Sequence, residues 1–256
     1  MLNKSETDVI IDLYQIPPVL ILLLTLFYFL VSFTAIVGNS MILWIVYRSK
    51  RMKCVTNYFI ANLAASDLLI GAFSIPFQFQ AALLQKWVLP DFMCPFCPTI
   101  QVISLNVSIF TLVVLSWDRY QAVIYPLKPK TSKKRVKCLL VIIWVFSTLL
   151  AIPTTIAFRV EFVDDESEAA IQKPFCNIIG LDSELWRSYS YTLVALQYCF
   201  PLLFISYAYL RMGITLFARD LPGDESGLGN ADHAIRRKRK TSFIIAKFCN
   251  ILHIIF

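Results

Sequence analysis

The feature that most constrains this chain is a series of five long apolar blocks, separated by short segments that hold most of its charge. About 20 consecutive apolar residues cross the hydrocarbon core of a bilayer as a helix. Lipid offers the backbone no hydrogen-bond partner, so each block must be helical. The blocks run about Val19 to Tyr47, Tyr58 to Leu84, Met93 to Ile124, Val136 to Phe158 and Tyr189 to Phe217. They show little alternation of period two, which argues against a membrane β-barrel. Composition agrees: 57% of the 256 residues are hydrophobic and only 16% charged, where a soluble domain carries roughly a quarter. The start of the chain has no basic region, short apolar core and cleavage site in series, so the first block is expected to act as an uncleaved signal anchor.

The net charge of +7 does not point to nucleic acid, because the basic residues sit in the short connections, where they set topology. Arg48, Lys50, Arg51 and Lys53 follow the first block. Lys128, Lys130, Lys133, Lys134, Arg135 and Lys137 follow the third, and Arg211, Arg219 and the run Arg236 to Lys240 close or follow the fifth. The second connection holds Lys86 alone, and the fourth carries Glu161, Asp164, Asp165, Glu166 and Glu168. Basic loops stay cytoplasmic, so the amino terminus, residues 1–18, lies outside. Asn3-Lys4-Ser5 is a glycosylation sequon on that outer side. Asn106-Val107-Ser108 also fits the pattern but lies within a span and should be unmodified.

Beyond the five spans, 19–217, a cytoplasmic loop is expected over 218–241 and an apolar tail over 242–256. That tail contains Lys247 and His253. Its roughly 15 residues reach only about 22 Å at 1.5 Å per residue, short of a roughly 30 Å core.

Few side chains carry chemistry. Asp67 lies about ten residues from either end of the second block, where an ionised carboxylate costs about 2.5–3.5 kcal/mol on the insertion scale. It should face the bundle interior and hold a cation, a proton or a polar partner, with Asn39 an expected neighbour. Asp118-Arg119-Tyr120 closes the third block just before Pro126-Leu127 and a basic loop. Alone it is an ordinary helix terminus; the acid beside the arginine suggests a local ion pair. Cys94, Cys97 and Cys176 fall on the oxidising outer side, where a disulfide is expected. Spacing alone does not choose between Cys94 and Cys97. Cys54, Cys138, Cys199 and Cys249 are expected as free thiols. No nucleophile–base set, metal-ligand spacing or phosphate-binding glycine loop occurs, so neither an enzyme nor a metal site is expected.

Taken in order, Gly38-Asn39, Asn62 through Asp67, Trp87, Cys94, Asp118-Arg119-Tyr120, Trp144, Pro201 and Tyr209 resemble the rhodopsin-like (class A) G-protein-coupled receptors, from about Gly38 to Thr241. The fold implied is an all-α membrane protein, a seven-helix receptor bundle lacking helix 7 and a proper helix 6. Within the family the chain looks like invertebrate neuropeptide receptors. The leucokinin-receptor type comes first, through Cys94-Pro95-Phe96-Cys97-Pro98, Asn106 to Leu112, Ala157 to Glu161 and Pro174-Phe175-Cys176. Tachykinin-like and RYamide-like receptors are the alternatives.

The resemblance implies roles residue by residue. Cys94 is the cysteine that pairs with Cys176. Gln101, Trp87 and Phe175 are expected at the ligand pocket. Amine receptors carry an acid where this chain has Gln101, so a peptide is expected in place of an amine, and the acidic outer loop would attract a basic one. Asp67, Asn39 and Ser108 would belong to an internal sodium site. Asp118, Arg119, Tyr120, Pro126, Leu127 and Tyr209 would serve activation and G-protein contact, with calcium signalling through the Gq class. The family's Cys-Trp-x-Pro and Asn-Pro-x-x-Tyr motifs are missing. The sequence therefore reads as a carboxyl-terminally truncated form unable to signal alone. The alternative is a non-signalling partner that associates with a full-length receptor and retains it in the endoplasmic reticulum, away from the plasma membrane.

Overall fold

The computed structural model describes residues 17–49, 54–84, 86–127, 129, 131–164 and 172–218. The expectations for Asn3, for nearly all of the 218–241 loop and for the 242–256 tail lie outside the described residues. Among the described residues, five helical spans are long and apolar enough to cross a membrane. The first is Pro18–Arg48; proline at its first position has a fixed φ suited to a helix start and lacks only an N–H that would have no partner there. The second runs as Val55–Leu69, a π turn Ile70–Ser74 and Ile75–Leu84. The third is Met93–Ile124 and the fourth Lys133–Ala157. The fifth runs as Ser183–Val194, a π turn Ala195–Cys199 and Phe200–Ala218.

The π turns have a readable cause. Pro76 and Pro201 have no backbone N–H, and their rings crowd the carbonyl four residues earlier. In each case a turn bonded five residues back, Ile75 N–H to Ile70 O and Phe200 N–H to Ala195 O, ends just before the proline. The wider turn lets the helix continue past a residue that would otherwise kink it.

The third span is the hub, packed against the second, fourth and fifth spans and a strand. Its buried face is small and polar, including Ser104, Asn106, Thr111 and Ser116. Helices in lipid associate through close backbone approach and hydrogen bonds instead of through exclusion of water, so this composition fits an interior face. The first span rests on the second at Gly71. An added Cβ there would come within 2.9 Å of the Ala35 Cβ, and Ser32 Oγ donates to Gly71 O at 2.7 Å. The bundle's outside is the reverse: Leu22, Val141 and Leu203 are 69%, 63% and 72% exposed, as lipid-facing residues should be.

One element departs from the sequence expectation. The acidic connection after the fourth span forms an antiparallel hairpin, β1 Phe158–Asp164 and β2 Gln172–Ile178. Val160 pairs with Cys176 and Glu161 with Phe175. The hairpin leaves the bundle through Ile179 and Gly180, whose N–H groups both donate to Ala157 O, at 3.1 and 2.9 Å.

Candidate functional site at the two ends of the bundle

At the outer end, the disulfide joins Cys94 to Cys176 with Cα atoms 5.6 Å apart, tying the start of the third span to β2. Cys97, one turn on, is buried and free. Trp87 is buried, with an exposure of 7%, and its backbone N–H donates to Pro174 O at 2.6 Å. First loop, disulfide and hairpin therefore form one unit, with Phe175 half-buried beside Cys176. Below it, Gln78 Nε2 donates to Gln101 Oε1 at 2.5 Å, linking second and third spans. Gln78 escaped the sequence reading, although an amide inside the apolar run Pro76-Phe77-Gln78-Phe79 is the kind of buried polar group that marks an interior face.

At mid-depth, Ser108 Oγ donates to Asp67 Oδ1 at 3.4 Å, and Ser66 Oγ lies 2.6 Å from Ser108 Oγ. The two hydroxyls cluster beside the carboxylate, which is half-buried. Asn39 does not join it: its amide donates to Ala35 O in its own helix at 2.9 Å. A second polar knot lies alongside. Asn62 Nδ2 donates to Thr111 Oγ1 and Asn62 Oδ1 accepts from Trp144 Nε1, both at 2.8 Å, so one side chain joins three spans. Gln197 Nε2 donates to buried Asn106 Oδ1 at 3.3 Å, connecting the fifth span's π turn to the third.

At the inner end, the structure corrects the expected ion pair. Asp118 and Arg119 do not pair among the described residues. Adjacent helical residues project about 100° apart. Asp118 accepts from Thr131 Oγ1 in the following loop at 3.1 Å, while the Arg119 guanidinium donates to Thr56 Oγ1 at the foot of the second span. Tyr120 is buried with Ala208 and Met212 of the fifth span, where Tyr209 packs against them. Tyr209 has Ser116 and the Arg119 charge as polar neighbours. The Asp118 and Arg119 contacts border a cleft of about 530 Å³ whose wall includes Thr56, Asp118, Arg119, Pro126 and Thr131. Leu127, next in sequence to Pro126, is 98% exposed.

This arrangement is a helical bundle with an outer disulfide-pinned hairpin and an inner arginine-lined cleft. The family model for the 7 transmembrane receptor (rhodopsin family) matches residues 38–256. The chain belongs to the rhodopsin family of receptors. That match continues past Thr241, beyond the last of the sequence landmarks. The rhodopsin-family chain is 32% identical to the substance-P receptor of Rattus norvegicus over 236 residues, 92% of this chain and 56% of that receptor. It is 32% identical to the substance-P receptor of Homo sapiens over 212 residues, 82% of this chain and 51% of that one. It is also 33% identical to the neuromedin-K receptor of Rattus norvegicus over 204 residues, 80% and 44%. The chain thus spans about half the length of the curated relatives it matches. Those relatives are of the tachykinin type, so the leucokinin placement gives way to the first of its alternatives. The family is one of signalling receptors embedded in membrane, not of enzymes.

Proposed function

We propose that this chain forms the peptide-recognising and G-protein-facing part of a receptor for a tachykinin-like neuropeptide at the plasma membrane, and that the 256 residues by themselves do not signal. The observation that carries the first half is the outer end. An uncharged, already paired Gln101 lies on the third span below a hairpin pinned by Cys94–Cys176 and Trp87. A protonated amine finds no carboxylate partner at Gln101, while a peptide can exchange hydrogen bonds with the two glutamines and lie along the hairpin. The likeness to substance-P and neuromedin-K receptors supports the same peptide class.

On the inner side, the Arg119-lined cleft suits contact with a heterotrimeric G protein, whose calcium-raising class is the expected one. Asp67, Ser66 and Ser108 bring one carboxylate and two hydroxyls together, oxygen donors of the kind hard cations take. An internal sodium ion would be held by these groups without Asn39.

The test is evoked calcium in cells lacking such receptors, given this chain alone or extended by the sixth and seventh helices of a substance-P receptor, with surface labelling of both. The proposal expects a response to substance P from the surface-labelled extended form only. A response of that form to amines and not to peptides overturns the ligand class. A full response from the 256 residues alone overturns the second half.

A further inference from the structure

We propose that Thr131 is a phosphorylation site for a basic-directed cytosolic kinase, and that a phosphate there releases the inner end of the third span from the loop that follows it. Thr131 lies outside any helix, half-buried, just before Ser132 and the fourth span. Its Oγ1 donates to Asp118 Oδ1 at 3.1 Å. In sequence it stands among Lys128, Lys130, Lys133, Lys134 and Arg135. A hydroxyl flanked on both sides by cations fits an acidic peptide-binding groove through charge complementarity. The basic loop also places it on the cytosolic side, where ATP is.

The transfer is ordinary. Thr131 Oγ forms a bond to the γ-phosphorus of ATP, its proton passes to the kinase's base, and the bond to the β-phosphate oxygen breaks to release ADP. What the structure adds is the consequence. The esterified oxygen has no hydrogen left to donate to Asp118. The phosphate brings about −1.5 to −2 charge against that carboxylate. On its other side begins the positive end of the fourth helix, with Lys133, Lys134 and Arg135 in its first turn. An anion is stabilised there. The phosphate therefore moves toward the fourth span, and the tie between Asp118 and the loop is lost.

Ser132 is the built-in control. Its Oγ accepts from Arg135 N–H at 3.4 Å and caps the helix; it is not the group that holds Asp118, so a phosphate there leaves the tie in place.

The inference does not depend on which peptide the receptor binds. Its test uses the whole chain in lipid nanodiscs, treated with the catalytic domain of protein kinase C and ATP. Phosphopeptides are mapped for the wild type, Thr131→Val and Ser132→Ala. The expected result is phosphate on Thr131, retained in Ser132→Ala and absent at that position in Thr131→Val. Amide hydrogen exchange over residues 121–127 should then rise about threefold or more in the phosphorylated chain, including at Tyr125 N–H, which donates to Gln121 O at 2.9 Å. Thr131→Val loses the same hydrogen bond without gaining charge and should give a smaller rise. A melting temperature close to the wild type's reports that each variant is folded. Phosphate confined to Ser132, or no phosphate on a chain whose isolated 126–137 peptide is phosphorylated, overturns the site. Phosphate on Thr131 with unchanged exchange overturns its effect.

Discussion

The two ends of this bundle are held together by different means. The outer end is cross-linked: Cys94–Cys176 fastens the third span to β2, Trp87 N–H holds β2 at Pro174, and Gly180 seats the hairpin's exit on the end of the fourth span. The inner end has no such fastening among the described residues. Two of its charged groups each take one hydroxyl as hydrogen-bond partner, Thr56 for Arg119 and Thr131 for Asp118, around an open cleft. A ligand gains most from a surface already in its bound shape, because less ordering entropy is lost on association. A surface that must exchange partners needs contacts that break cheaply. The outer end matches the first requirement and the inner end the second.

The contrast can be broken first at the disulfide. The Cys94 to Cys176 link spans 82 residues, and loop-closure entropy for such a span is about 4.5 kcal/mol on the chain-entropy account. Cys94→Ser or Cys176→Ser should therefore lower the melting temperature of the lipid-embedded chain more than any single change at the inner end. Cys97 should not rescue it, being buried one turn away. Thermal unfolding of the single variants and of Cys97→Ser reads this directly; equal losses from Cys94→Ser and Cys97→Ser would mean the outer end is not held by one bond.

Gly180→Ala tests the same end without touching the disulfide. An added Cβ would fall 1.9 Å from Ile156 O, a backbone atom that cannot swing aside. The hairpin exit must shift, at a cost of about 1–3 kcal/mol. Gly38→Ala is the matched control, with nothing within 4 Å of its added carbon. It should be neutral or stabilising by up to about 1 kcal/mol, the helix preference of alanine over glycine. Similar melting temperatures for the two variants would contradict the close seating of the hairpin exit on the fourth span.

Much of this plan was legible in the chain. The third span's bounds, Met93 to Ile124, are those of its apolar run. The fifth begins at Ser183, six residues before its apolar run, because its first turns are amphipathic. The usable signal was Asp182, whose carboxylate accepts from Glu184 N–H and Leu185 N–H as an N-cap. The hairpin was also written in the sequence: Phe158-Arg159-Val160-Glu161-Phe162 alternates apolar and charged residues at strand period, but acidity read as loop. Two expectations failed for a geometric reason. Asp118 and Arg119 are neighbours in sequence but not on the helix surface. Asn39 had a carbonyl of its own helix within reach, at Ala35, and a local partner removes the need for a distant one. The π turns are invisible to a periodicity argument, since one extra residue only shifts the phase of the apolar face; Pro76 and Pro201 are their sole trace.

The smallest expected effect is at the inner end, and it sharpens the comparison most. Thr56→Val keeps the shape of the side chain and removes the oxygen that accepts from Arg119. The guanidinium borders an open cleft, so water can replace the lost partner, and the stability loss should stay below about 1 kcal/mol. Local opening should respond more than global unfolding. Hydrogen exchange at the foot of the second span and at residues 121–127 should quicken severalfold while the β1–β2 amides are unchanged. Arg119 is one of the two charges anchoring the end of the third span, so freeing it loosens that end without disturbing a hairpin fastened by other bonds. If Thr56→Val lowered the melting temperature as far as Cys94→Ser does, the Thr56 contact would be structural, and the inner end would have to be counted as rigid as the outer.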